Sequence, residues 1–81
     1  MGRLSALPSN LAPRLINREA AAAYVNVSPN TFDGMVERGV MPRPRILSDR
    51  RKAWDVRELD IATDALPHDG DELVAADEGW N

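Results

Sequence analysis

Apolar residues in the middle of the chain change their period twice, and the changes mark its elements. Phe32, Met35 and Val36 fall at i, i+3 and i+4, the spacing of one helix face, while Asn30, Gly34 and Glu37 lie opposite, flanked by Thr31 and Arg38. Ser28-Pro29 offers an N-cap with proline at the first helical position and Gly39 offers a stop, so a helix is predicted from Pro29 to Arg38. An earlier helix over about 18–25 follows from Asn17 as N-cap, Glu19 in the first turn and the alanine run 20–23, with Ala21 and Val25 facing inward. Between the two sits Asn26, where a chain leaving a helix often needs positive φ, which asparagine tolerates better than any residue except glycine. Two short helices thus meet across a tight turn.

Beyond Gly39 the pattern becomes extended. In Met41-Pro42-Arg43-Pro44 each proline biases the residue before it away from helix. Residues 45–47 and 52–54 read as short strands joined by Ser48-Asp49-Arg50-Arg51, a hairpin. Asp55 with Glu58 three residues on makes a capping box for a third helix, whose inner stripe is Val56, Leu59, Ala62, Thr63 and Leu66 and which Pro67 closes. Phe32, Val36, Trp54 and Leu59 are the expected structural anchors. The chain divides into a flexible arm over 1–13, a folded body over 14–66 and an acidic tail over 67–81 expected to be disordered. The fold class is mainly α with a small β-hairpin, and the element order is that of a winged helix-turn-helix: two helices, a two-stranded wing and a C-terminal helix.

Composition narrows the function. Eighty-one residues close one core at most. The absence of cysteine removes disulfides and thiolate metal sites. No stretch approaches a membrane span, and Pro8, Asn10 and Pro13 interrupt the start before a signal-peptide core can form, so a cytoplasmic protein that meets no membrane is expected. His68 beside Asp69, Asp71 and Glu72 lacks a second histidine, so no metal site is expected. With no nucleophile paired to a base and no phosphate-cradling glycine loop, neither catalysis nor a cofactor is implied.

Charge then changes the picture. The net charge of −3 hides a sharp segregation: residues 14–57 hold nine Lys/Arg against five acids, and residues 58–81 hold eight acids and no Lys/Arg. Phosphate responds to local potential rather than to the chain average, so a basic body with an acidic end is compatible with double-stranded DNA as partner. On the second helix Ser28, Asn30, Thr31, Asp33, Gly34 and Arg38 are the candidate contacts: Asn can pair with adenine, an acid can accept from cytosine, Arg can reach guanine or phosphate, and Gly34 leaves room for close approach. On the wing the candidates are Arg43, Arg45, Arg50, Arg51 and Lys52. A basic run is by itself an ordinary solvated surface; its place at a hairpin tip beside a helix-turn-helix points it at DNA. Trp54, at the base of the hairpin, is expected to pack on the helices and set the angle at which Arg50 and Arg51 are presented.

The stretches LINREAAAAYVNVSPNTF, ERGVMPRPRIL and RRKAWDVRELD, kept in that order over residues 15–66, resemble the small winged helix-turn-helix proteins of phages and integrative elements. These are the AlpA-type regulators and the excisionases, or recombination directionality factors, with a distant likeness to MerR-type DNA-binding domains. The resemblance implies architectural DNA binding in a bacterial, nucleoid-associated protein. Several copies associate head to tail on attachment-site repeats, bend the DNA and help a tyrosine-type or other integrase excise the element. It carries over Asn30, Thr31 and Arg38 as recognition-helix positions and Arg50 and Arg51 as wing positions. Where relatives often have a basic or aromatic residue this chain has Asp33-Gly34, which shifts weight to the wing. Transcriptional regulation of a prophage or integrative element is the alternative. A third reading is a protein-interaction or antitoxin-like module working through the tail, whose Leu73, Val74, Ala76 and Trp80 could dock on an integrase or polymerase, or whose acids could compete for the basic face.

Overall fold

The computed structural model describes residues 7, 8 and 10–71 of the chain. Helix α1 (Arg18–Tyr24) starts where Asn17 Oδ1 accepts from the Ala20 N–H at 2.8 Å. It ends in a Schellman motif: the Asn26 N–H donates to Ala23 O and the Val27 N–H to Ala22 O, both at 3.0 Å, with Asn26 at φ 65°. Helix α2 (Pro29–Glu37) begins with Ser28 Oγ accepting from the Thr31 N–H and closes the same way, Gly39 donating to Val36 O and Val40 to Met35 O. Both turns fall at the predicted positions, because asparagine and glycine are the residues that enter the left-handed region cheaply. Gly39 sits at φ 79° with open space around the position a Cβ would take. Gly39→Ala therefore carries a purely conformational cost of about 1–2 kcal/mol, to be read as a lowered denaturation midpoint with an unchanged m-value.

The hairpin is present, slightly longer than predicted: β2 (Arg45–Ser48) and β3 (Arg51–Asp55) pair antiparallel with Arg45 opposite Ala53, Ile46 opposite Lys52 and Ser48 opposite Arg51, and a bulge between Ile46 and Ser48. The expectation of a two-stranded element needs correction. Leu15–Ile16 forms β1, antiparallel to β3 with Leu15 opposite Asp55 and Ile16 opposite Trp54, so the sheet has three strands in the order β1-β3-β2. Two residues are too few to display a period of two, and β1 is held by what it pairs with.

Helix α3 (Val56–Asp64) follows β3 without a break. Asp55 caps it, Oδ1 accepting from the Arg57 N–H at 2.9 Å, but the capping box is only half made because Glu58 turns instead to Arg45. Leu59 is fully buried and Val56, Ala62 and Leu66 are half-buried, whereas Thr63 is exposed. The body covers a stripe too narrow to include a residue about 100° round from Ala62.

The core is Ala21, Ala22, Phe32, Met41, Trp54 and Leu59, with Val36 and Met35 packed at its edge. Trp54 meets Phe32 edge to face, ring centroids 5.2 Å apart at 73°, and donates its Nε1–H to Pro42 O at 2.8 Å. That bond fixes the extended Pro42 segment and with it Met41, a core residue absent from the expected anchors. The Tyr24 hydroxyl donates to Asp60 Oδ1 at 2.8 Å and ties α1 to α3. Among the described residues no helix is long and apolar enough to cross a membrane. The expectations for residues 1–6, 9 and 72–81 fall outside the described residues; within the described end, Asp71 donates to His68 O in a turn at Gly70.

Candidate nucleic-acid interface

Three of the residues predicted on the outward side of α2 are already engaged within the protein. Arg18 on α1 forks onto Asp33, Nε to Oδ1 at 2.9 Å and Nη2 to Oδ2 at 2.8 Å, and the same Nη2 donates to Asn30 Oδ1 at 3.3 Å. The hydrogen bonds from Arg18 hold the Asp33 carboxyl below the usual carboxylate range. Asp33 is thus an acceptor for the protein's own guanidinium rather than an open acceptor for cytosine, and Asn30 keeps its amide donors but lends its oxygen to the same clamp. The third, Ser28, donates its hydroxyl to Thr31 Oγ1 at 3.0 Å while capping the helix. That leaves the Asn30 amide NH₂, the Thr31 hydroxyl proton and the Arg38 guanidinium as this surface's outward donors. Arg38 is the C-cap residue; its Nη1 lies 3.3 Å from where a Gly34 Cβ would be, so the gap left by glycine is covered by arginine.

The cations divide into two groups. Arg14, Arg18 and Arg45 are spent on internal carboxylates: Arg14 reaches Asp55, Arg18 reaches Asp33 and Glu19, and Arg45 pairs with Glu58. Arg38, Arg43, Arg50, Arg51, Lys52 and Arg57 are exposed and form no ion pair among the described residues. Arg45 therefore acts differently from the other four predicted wing residues, bracing β2 against α3. Arg50 occupies the hairpin turn and Arg51 and Lys52 open β3, before the strand turns inward at Ala53, Trp54 and Asp55. One strand thus carries charge at its tip and the core anchor at its base, as the sequence pattern predicts.

The base of the hairpin contains an ion pair that the sequence did not flag, although it marked Asp55 as a helix cap. Asp55 is 3% exposed and accepts from Arg14 Nε at 3.2 Å, from Arg14 Nη2 at 3.0 Å and from the Arg57 N–H. Hydrogen bonding to Arg14 is the main cause that lowers its pKa, against the opposing effect of burial. Arg14 also accepts the Val56 N–H at its carbonyl, so one residue ahead of β1 fixes the junction of β3 and α3 from both ends. The signal for it is the arginine standing just before the only apolar pair between Pro13 and Asn17.

Beside this junction a groove of about 320 Å³ runs between β1 and the hairpin, lined by Leu15, Ala20, Leu47, Arg51 and Ala53 among others. Among the described residues no group of three His, Cys, Asp or Glu side chains is placed to hold a metal ion. No family model matches the chain, and neither does any curated protein or solved structure.

Proposed function

We propose that the chain is a cytoplasmic, non-enzymatic DNA-binding protein with a winged helix-turn-helix body, in which α2 lies in the major groove and the β2–β3 hairpin is the wing, and that it acts as an excisionase or recombination directionality factor on attachment-site DNA. The observation that carries the reading is the state of Arg50, Arg51 and Lys52: three consecutive exposed cations on a hairpin braced by Trp54 and Asp55, in a chain that neutralises Arg14, Arg18 and Arg45 internally. Such a tip repels itself in the free protein and is useful against a polyanion. The clamp on Asp33 and Asn30 supports a division of labour in which phosphate contact at the wing supplies affinity and α2 contributes position more than base reading.

Replacing Arg50 and Arg51 with Ala leaves the core untouched and lowers the salt slope of DNA binding by up to about 2 units if both neutralise phosphates. Unchanged affinity across roughly 50 to 200 mM salt removes the wing from the reading. A footprint on DNA flanking the encoding gene separates the two biological roles. Tandem protected repeats beside an integrase attachment site mean excision, whereas a single promoter palindrome means transcriptional regulation.

A further inference from the structure

Ile46 stands out once the internal uses of the hairpin are assigned. Trp54 faces α2 through Phe32; Lys52, two residues earlier, shares that face by strand alternation, and Ile46 is the partner of Lys52 across the ladder, so it shares the face too. Leu47 lines the groove with Leu15 and Lys52. Arg45 is held by Glu58. Among the described residues Ile46 has no comparable use. At 74% exposure it exceeds every other exposed large apolar residue among those described, on an edge strand whose four residues are all exposed. A solvated strand position is served equally well by threonine, so a bare isoleucine here is a loss that binding can recover.

Its surroundings identify the occupant. Ile46 is opposite Lys52, Arg50 lies in the adjoining turn and Arg51 opens β3 beside it; Asp49 is the one acid between Arg45 and Trp54. An apolar point flanked by cations on a two-stranded ribbon matches a duplex minor groove, where phosphates line the rims and a partly unstacked base step takes an apolar wedge. A protein partner docking by strand addition would instead meet an edge bearing repulsive charge and a bulge. Because isoleucine is branched at Cβ, its rotamer is already restricted, and little freedom is lost when it is inserted.

We infer that Ile46 is an apolar wedge that the hairpin presses into the minor groove between the phosphates held by Arg50, Arg51 and Lys52, so that the same element that supplies affinity also bends the DNA. This inference rests on the DNA-binding reading. It is tested on the full chain with a duplex of about 30 base pairs carrying a central TpA step, an easily kinked site, and a donor and acceptor dye on its two ends. Ile46→Thr keeps strand propensity and removes the wedge; Ile46→Leu keeps an apolar tip. The expected result is that Ile46→Thr binds about tenfold more weakly from the lost apolar burial, with an unchanged salt slope, and that the end-to-end transfer efficiency returns toward that of free duplex, while Ile46→Leu stays close to the parent. If Ile46→Thr binds and bends as the parent does, the wedge is overturned and the DNA-binding reading survives. If the parent binds no duplex at all, both fall together.

Discussion

Trp54→Ala abolishes the folded state at ambient temperature. The indole is 8% exposed, contacts Phe32 edge to face and closes the Pro42 segment with its N–H. Truncating a buried aromatic of this size costs about 3–5 kcal/mol, and a domain this small holds roughly 3–8 kcal/mol in total. The loss also frees Pro42 and with it Met41, so the core loses two of its members through one substitution. Trp54→Phe separates the contributions: the ring contact survives in part, the bond to Pro42 O is lost, and a cost of about 1–3 kcal/mol remains. Far-UV circular dichroism of Trp54→Ala should show no cooperative melt, while Trp54→Phe should melt cooperatively below the parent. A cooperative Trp54→Ala melt near the parent midpoint would remove Trp54 from the centre of the fold.

Asp55→Asn is expected to be the most damaging polar substitution, and it also changes the response to acid. The carboxylate caps α3 and accepts both bonds from Arg14; asparagine keeps one acceptor oxygen and brings an NH₂ toward a guanidinium that cannot accept. In the folded chain the Asp55 pKa is lowered, chiefly by the Arg14 hydrogen bonds, so the folded state binds the proton less readily than the unfolded chain does. The stabilisation is therefore complete above the unfolded carboxylate value of about 3.9 and is lost as the pH falls through the lower folded value. The parent's thermal midpoint should drop steeply below about pH 4, and Asp55→Asn should start lower and lose less over the same interval. Parallel pH profiles for the two proteins would show that Asp55 is not a source of the acid sensitivity. Asp33, also lowered by an arginine but about half exposed, is expected to add far less, since water screens it.

Much of the architecture was legible because local chemistry and tertiary packing agree. Asn17, Ser28 and Asp55 each cap the helix assigned to them, Asn26 and Gly39 each take positive φ, and the hairpin turns at Asp49 and Arg50. What stayed hidden is whatever depends on distant partners. Leu15–Ile16 is a strand only because β3 lies beside it, and the periodicity that predicts Thr63 inside says nothing about how wide a stripe the body covers. Among the candidate site residues, Arg38, Arg43, Arg50, Arg51 and Lys52 are as exposed as expected, while Asp33, Asn30, Ser28 and Arg45 bond to partners within the protein. Position along a helix tells which way a side chain points, but Arg18, fifteen residues before Asp33, reaches it only through the turn between two helices.

The Arg18 fork has a bearing on how forgiving the protein is of its target. A carboxylate and an amide oxygen bonded to a neighbouring helix form a surface already satisfied from within: using either oxygen against a nucleobase means first giving up a bond already made. On the proposed reading, single base changes beneath α2 should be tolerated better than changes that stiffen the duplex beneath the hairpin, so cognate sites would share flexibility more than spelling.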